Sequence, residues 1–327
     1  MANRNHTYSD AIREGFSFLL DNYPEVFVVG QGLWSPWYVG DTMKDLDKIY
    51  GKHRIIDTPV SEAACTGAAV GAALSGMKPI VVHPRMDFAL YAMDPIVNQA
   101  AKWNHMMGGQ ASAGLTIRAI INRGGQQGAQ HSQSLHSWFA HVPGLRVVMP
   151  ATVNDARDLL IASALNPDPV VYIDDRWLYQ NTEEYREPKI LNLVQEGPRI
   201  LKNGDDLTIV GSGYSTHLAN LLHEKLSSEG ISSEVIDLRI LNPFNASLII
   251  ESVKKTKKLV VIDGGTKTAG FAAEVIASVS EELSKSSKFF SVMRLTLPDA
   301  PAPSSGELEK SYYPDVEYIR TKVLDFL

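Results

Sequence analysis

Short apolar runs alternate along the chain with longer segments that carry an apolar stripe at helical spacing. Runs rich in Val and Ile, each close to Gly or Pro, predict strands at 26–29, 79–82, 115–121, 145–149 and 170–173. Between them the pattern predicts helices at 8–21, 62–74, 95–107 and 154–165, the first capped by Ser9 or Asp10. A polar stretch over 179–199 breaks the alternation and reads as a connection. The alternation then restarts, with strands at 207–210, 233–236, 258–262 and 290–296 and helices at 216–228, 246–255 and 270–283. Pro298, Pro301 and Pro303 exclude helix or central strand there, and a last helix begins near Pro314-Asp315. The fold class is therefore α/β, with two doubly wound domains at 1–185 and 200–327 joined by a linker at 186–199. Such sheets bind ligands outside the carboxyl ends of their strands. That rule singles out 30–37, 82–88, 121–131 and 211–215.

A length of 327 residues suits two domains sharing an interface. The net charge of -6 gives no reason to expect nucleic acid or an anionic membrane surface as a partner. No apolar run approaches the roughly 20 residues of a membrane span, and the polar start of the chain does not resemble a secretory signal. A single cysteine, Cys65, excludes a disulfide within the chain and a thiolate metal cluster, and points to a reducing, cytoplasmic setting. No phosphate-binding Gly-x-x-x-x-Gly-Lys loop, His-Glu-x-x-His or Cys-x-x-Cys occurs, so no metal ligands are assigned.

Three residues stand out chemically. Glu62 opens a helix whose next residues are almost all Ala, Gly and Thr, so another backbone can approach it closely. It can serve as a sheltered carboxylate or simply complement the helix dipole. Phe88 follows the strand at 79–82 and would project from its end, as a cofactor platform or as core. His131 lies in a loop of three glycines and four glutamines over 122–134, ahead of a helix at 135–139. It can exchange protons near neutral pH or only organise the loop. His83 and His141 read as structural.

Taken in order, these segments resemble one family over essentially the whole chain. It is the beta subunit of the thiamine-diphosphate-dependent first component of 2-oxoacid dehydrogenase complexes (pyruvate or branched-chain), within the transketolase-like group. The resemblance rests on Asp57-Thr58-Pro59-Val60-Ser61-Glu62, on the stretch from Asp94-Pro95 to Ala101-Lys102, and on Gly128-Ala129-Gln130-His131-Ser132-Gln133-Ser134. Pro143-Gly144-Leu145-Arg146-Val147-Val148 and Glu234-Val235-Ile236-Asp237-Leu238-Arg239 add to it. It implies a transketolase-like pyrimidine-binding domain followed by a transketolase C-terminal domain. It implies that Glu62 bonds the aminopyrimidine of thiamine diphosphate, that Phe88 packs on that ring, and that His131 assists proton transfer and hand-off of the acyl group. It also implies a partner. The Gly-Asp-Gly…Asn-Asn motif that holds diphosphate and magnesium is missing here, and in the family it belongs to an alpha subunit, usually in an alpha-two beta-two heterotetramer.

The chain departs from the family near the expected site. Gln31 stands where an acid is usual, and Arg85 adds a cation; with Gln130 these are candidate substrate-side residues. Two catalytic readings remain. In one, the assembly decarboxylates a pyruvate-like 2-oxo acid and passes the acyl unit to the lipoyl-lysine of an acyltransferase. In the other, a split transketolase or carboligase hands a two-carbon unit to an aldehyde or ketosugar. A third reading, of another class, is a non-catalytic supporting subunit.

Overall fold

The computed structural model describes residues 5–285 and 289–327. Two parallel-rich sheets dominate it. The larger runs, in spatial order, Ile240–Asn242, Arg146–Val148, Val170–Asp175, Thr116–Ile121, Lys78–His83, Val26–Gly30 and Ile55–Asp57. All its pairings are parallel except that of Ile240–Asn242 with Arg146–Val148. The strands Thr116–Ile121 and Val170–Asp175 are buried at every position, which explains why they read as unbroken apolar runs rather than alternating ones. The helices Tyr8–Asn22 and Val153–Leu165 pack together over one face, and Glu62–Leu74 lies against Lys78–His83.

The smaller sheet runs Ser291–Leu297, Lys258–Thr266, Leu207–Gly211, Ser233–Asp237 and Arg199–Lys202, the last antiparallel. The helices Tyr214–Ser228, Ser247–Thr256, Phe271–Ser284 and Val316–Phe326 cover it. As expected at Pro314-Asp315, the Asp315 carboxylate caps the last helix by accepting from the Tyr318 amide at 2.8 Å.

Several local expectations change. The cap of the first helix is Thr7, whose hydroxyl accepts from the Asp10 amide while Asp10 reaches back to the Thr7 amide, so Asp10 completes a capping box and Ser9 is not the cap. Ser61 occupies the N-cap position of Glu62–Leu74 without making a side-chain cap bond. The helix expected over 95–107 is a π-helical stretch, Asp94–Ala100, continued by an α-helix, Ala101–Met106. The polar stretch at 179–199 contains a short strand, Thr182–Glu184, paired antiparallel with Asn5–Thr7. Ile240–Asn242, well beyond that stretch in sequence, forms an edge of the larger sheet. Gly144 is required by its surroundings: its φ is +96°, and a Cβ would sit 1.9 Å from the Ala101 carbonyl oxygen.

Candidate active site at the strand ends

The strands Val26–Gly30 and Lys78–His83 end side by side, with Gly30 opposite Val82. A Cβ on Gly30 would lie 2.4 Å from the Val82 carbonyl oxygen, so only glycine allows this approach. The first turn of Glu62–Leu74 arrives at the same place. Glu62, Gln31, Pro59, Cys65, His83 and Pro84 line a crevice of about 10 Å³, room for roughly one water. Glu62 is half-buried, and among the described residues no hydrogen bond or ion pair reaches its carboxylate. The Gln31 side chain donates to the Tyr38 hydroxyl at 3.2 Å, while its buried Oε1 has no partner. Beneath them His83 is fully buried, 3.4 Å from the Thr66 hydroxyl, and burial pushes its pKa down to about 4. It is therefore a neutral packing group at pH 7.

Phe88 does not extend from the strand end. The strand stops at His83, and Phe88 lies in the 3-10 turn Met86–Ala92, because Pro84 cannot continue the ladder. From there its ring meets His131 edge to face, with centroids 5.4 Å apart. The loop that carries His131 turns through positive φ at Gly124, Gly125, Gln126 and Gly128. Asp87 fixes it: Oδ1 accepts from the Gln133 amide at 3.2 Å and from its side chain at 2.8 Å. Burial raises the Asp87 pKa against those hydrogen bonds, and Oδ2 has no partner. The helix after the loop is His136–Ala140, one residue later than expected. Gln130 is exposed next to His131.

The structure thus brings Phe88 and His131 into contact and places Glu62 with Gln31 in a separate crevice; the segment Pro84–Arg85 links the two. Arg85 donates to the Pro84 carbonyl at 3.0 Å and to Gln127 Oε1 at 3.4 Å. With the Asn122 amide oxygen turned toward it, Arg85 Nε and Nη2 both donate to that oxygen at 2.9 Å.

A cleft of about 1280 Å³ opens beside this site between the two sheets. Its walls include Ser134, Trp138, Thr266, Thr268, Gly270 and Asp299. The wall of the second sheet is therefore the loop after Lys258–Thr266, and not 211–215, where Gly213 is closed off by the Met149 side chain. Two clasps across the cleft escaped sequence reasoning. His136 Nε2 lies 3.0 Å from Asp263 Oδ1, and its Nδ1 is 2.9 Å from the Ser134 hydroxyl. Burial would raise the Asp263 pKa, but the His136 ring and the amides of Gly265 and Ala272 outweigh it and hold the carboxyl below its ordinary value. Arg123 pairs with buried Asp175, reaches the Gly264 carbonyl, and lies over the rings of Trp177 and Tyr214. Asp263-Gly264-Gly265 is thus engaged in joining the sheets. Among the described residues, no group of three or more His, Cys, Asp or Glu stands close enough together to hold a metal. No helix of the described residues is long and apolar enough to cross a membrane.

Comparison with known proteins places this geometry. Residues 4–182 match the transketolase pyrimidine-binding domain and 198–319 the transketolase C-terminal domain. The beta-1 subunit of the mitochondrial pyruvate dehydrogenase E1 component of Arabidopsis thaliana is 37% identical over 316 residues, which cover 96% of this chain and 87% of the relative. The beta subunit of acetoin:2,6-dichlorophenolindophenol oxidoreductase from Cupriavidus necator is 35% identical over 94% of both chains. Among solved structures, a split-gene transketolase described as an inactive beta4 tetramer superposes with a TM-score of 0.76 at 21% identity, covering 98% of this chain and 97% of that one; this likeness bears on fold alone. The chain belongs to the transketolase-like family, with the beta subunits of the pyruvate dehydrogenase E1 component.

Proposed function

We propose that this chain is the beta subunit of a thiamine-diphosphate-dependent enzyme that decarboxylates a pyruvate-like 2-oxo acid and passes the acyl unit to lipoyl-lysine. The observation that carries the reading is the partnerless, half-buried carboxylate of Glu62 at the strand ends, in a crevice of about 10 Å³. A carboxylate so placed is an acceptor waiting for a donor. The crevice is too small to enclose an aromatic ring by itself, which suits a site completed by a second surface. These features fit one face of an aminopyrimidine site. Glu62 would accept from the pyrimidine and Phe88 would supply an apolar face for it.

Bound thiamine diphosphate supplies a nucleophilic carbon and an electron sink. The residues of this chain do the rest by position and charge. Glu62 holds a proton at the pyrimidine nitrogen by a charge-assisted bond. His131, held against Phe88, exchanges a proton with the substrate oxygen and with the acyl acceptor. The loop bond from Gln133 to Asp87 keeps His131 in place. An alpha subunit carrying the Gly-Asp-Gly…Asn-Asn motif would hold the diphosphate and magnesium, in an alpha-two beta-two assembly. Support comes from the family membership and from the absence of that motif in this sequence. Several relatives are named as mitochondrial; the lone thiol of Cys65 fits a reducing compartment.

Reconstitution with the alpha-type partner, thiamine diphosphate, magnesium and pyruvate, with free lipoyl domain as acceptor, tests the reading. Acylated lipoyl domain is the expected product, and Glu62→Gln should lower its rate by about 10²-fold or more. An acyloin or a two-carbon-extended sugar without lipoyl product would move the chain to the transferase reading. Unchanged turnover in Glu62→Gln would mean that Glu62 has no part in the chemistry.

A further inference from the structure

The loop that carries His131 is gripped at both ends by one segment of the smaller sheet. At its start, Arg123 Nη1 donates to the Gly264 carbonyl at 3.4 Å. Arg123 is fixed for this by its buried ion pair with Asp175 and by the Trp177 and Tyr214 rings beneath it. At the end of the loop, the Ser134 hydroxyl meets His136 Nδ1 at 2.9 Å. His136 Nε2 in turn stands 3.0 Å from Asp263 Oδ1, off the line of a straight hydrogen bond. Asp263 is itself held in place: the Gly265 amide donates to Oδ1 at 2.8 Å and the Ala272 amide to Oδ2 at 2.9 Å. The strand Lys258–Thr266 slips register against Ser291–Leu297 between Ile262 and Thr266, an irregularity of the kind that re-aims side chains. The two glycines let the loop seat closely. A Cβ on Gly264 would lie 2.9 Å from Arg123 Nη1, and one on Gly265 would lie 3.2 Å from His136 Cε1.

We propose that Asp263 and His136 are positioning residues for His131, so that the smaller sheet sets the active-site histidine in place; this rests on the function proposed above and deepens it. The charge of Asp263 gives the link its direction. An ionised carboxylate facing Nε2 keeps the ring proton on that nitrogen, so Nδ1 is the acceptor and the Ser134 hydroxyl donates to it. His136 and Asp263 are both buried, so solvent does not compete for either partner. The loop is thus tied on consecutive residues to both sheets. Gln133 is bound to Asp87 beside the first, and Ser134 reaches Asp263 of the second. Between these ties and Arg123, the His131 ring rests against Phe88. A catalytic group must be held to within about 0.5 Å of its productive place, and a misplacement of about 1 Å can cost about 10²-fold in rate. Cutting the tie to Asp263 leaves only the Asp87 side to hold the end of the loop.

Two readouts test this, one of them independent of turnover. In the purified full chain, modification of His131 by diethyl pyrocarbonate, followed by peptide mass spectrometry, reports how firmly the loop holds the ring. Asp263→Asn should raise that rate by about threefold or more as the loop opens, with the exposed His53 as internal standard. Ser134→Ala cuts the same link without touching the buried pair, so it should act in the same direction even if Asp263→Asn does not fold. Ser137→Ala, in the cleft wall but outside the link, should leave the rate unchanged. In the reconstituted assembly, Asp263→Asn and Ser134→Ala should each lower kcat by about tenfold while KM for the 2-oxo acid stays within about twofold. Neither should cost anything further in a His131→Ala background. Equal modification rates in the native chain and in the folded Asp263→Asn and Ser134→Ala chains, or a fall in kcat that persists undiminished in His131→Ala, overturns the proposal. If no assembly turns over, the proposed function fails and the modification rate alone decides the link.

Discussion

Arg118 and the group around Glu62 sit on the same sheet and treat charge in opposite ways. Arg118 is fully buried in the central strand Thr116–Ile121. Its Nε and Nη2 bind Asp174 bidentately at 2.9 and 2.8 Å, Nη1 donates to the Thr42 hydroxyl at 2.9 Å, and Nη2 also meets the Tyr179 hydroxyl at 3.0 Å. Asp174 raises the Arg118 pKa against the effect of burial. At the carboxyl ends of the neighbouring strands, Glu62, Gln31 Oε1, Asp87 Oδ2 and Arg176 Nε have no such partners among the described residues. The charge of Arg118 is saturated from within the chain. Polar groups at the strand ends are left open, as groups are when their partners come from outside.

The largest effect should come from breaking the saturated region. Arg118→Ala leaves Asp174 buried and uncompensated, and should cost about 3–5 kcal/mol in denaturant unfolding; a loss below 1 kcal/mol would mean that the network contributes little.

Asp237 offers an intermediate case with the opposite sign. It is fully buried, accepts from the Thr216 hydroxyl at 3.0 Å, and has an unpartnered Oδ2. Burial, with the Asp155 charge, raises its pKa to about 7. A raised folded pKa means that the folded state holds its proton longer, so this group lowers stability progressively as pH rises from near 4 through about 7. Asp237→Asn should therefore be more stable than the native chain at pH 8, by roughly 1–3 kcal/mol, and the gap should close below pH 4. A gap independent of pH would show that ionisation of Asp237 is not its cause.

The smallest effect on stability belongs to Glu62. Its carboxylate bonds nothing among the described residues, so Glu62→Gln should shift the unfolding free energy by no more than about 0.5 kcal/mol while nearly abolishing turnover. A large stability loss would mark Glu62 as part of the framework and erase the contrast with Arg118.

The sequence made the alternating strands and helices plain wherever an element was long and apolar, as at 116–121 or 214–228. The short strands Ile55–Asp57, Thr182–Glu184 and Ile240–Asn242 were not legible. Ile240–Asn242 is three residues long and finds its partner, Arg146–Val148, only through tertiary packing. Glu62, Phe88 and His131 were visible because each stands beside a distinctive local pattern. The clasp between His136 and Asp263 was not, since no local pattern joins residues 127 positions apart (263 − 136).

The central claim is that this chain holds half of a thiamine diphosphate site. The most direct measurement is cofactor affinity in the presence of magnesium, by equilibrium dialysis, for the chain alone and after mixing with its alpha-type partner. The account predicts negligible binding by the chain alone and tight binding by the mixture, lost again when the mixture carries Glu62→Gln. Tight magnesium-dependent binding by the isolated chain would contradict it.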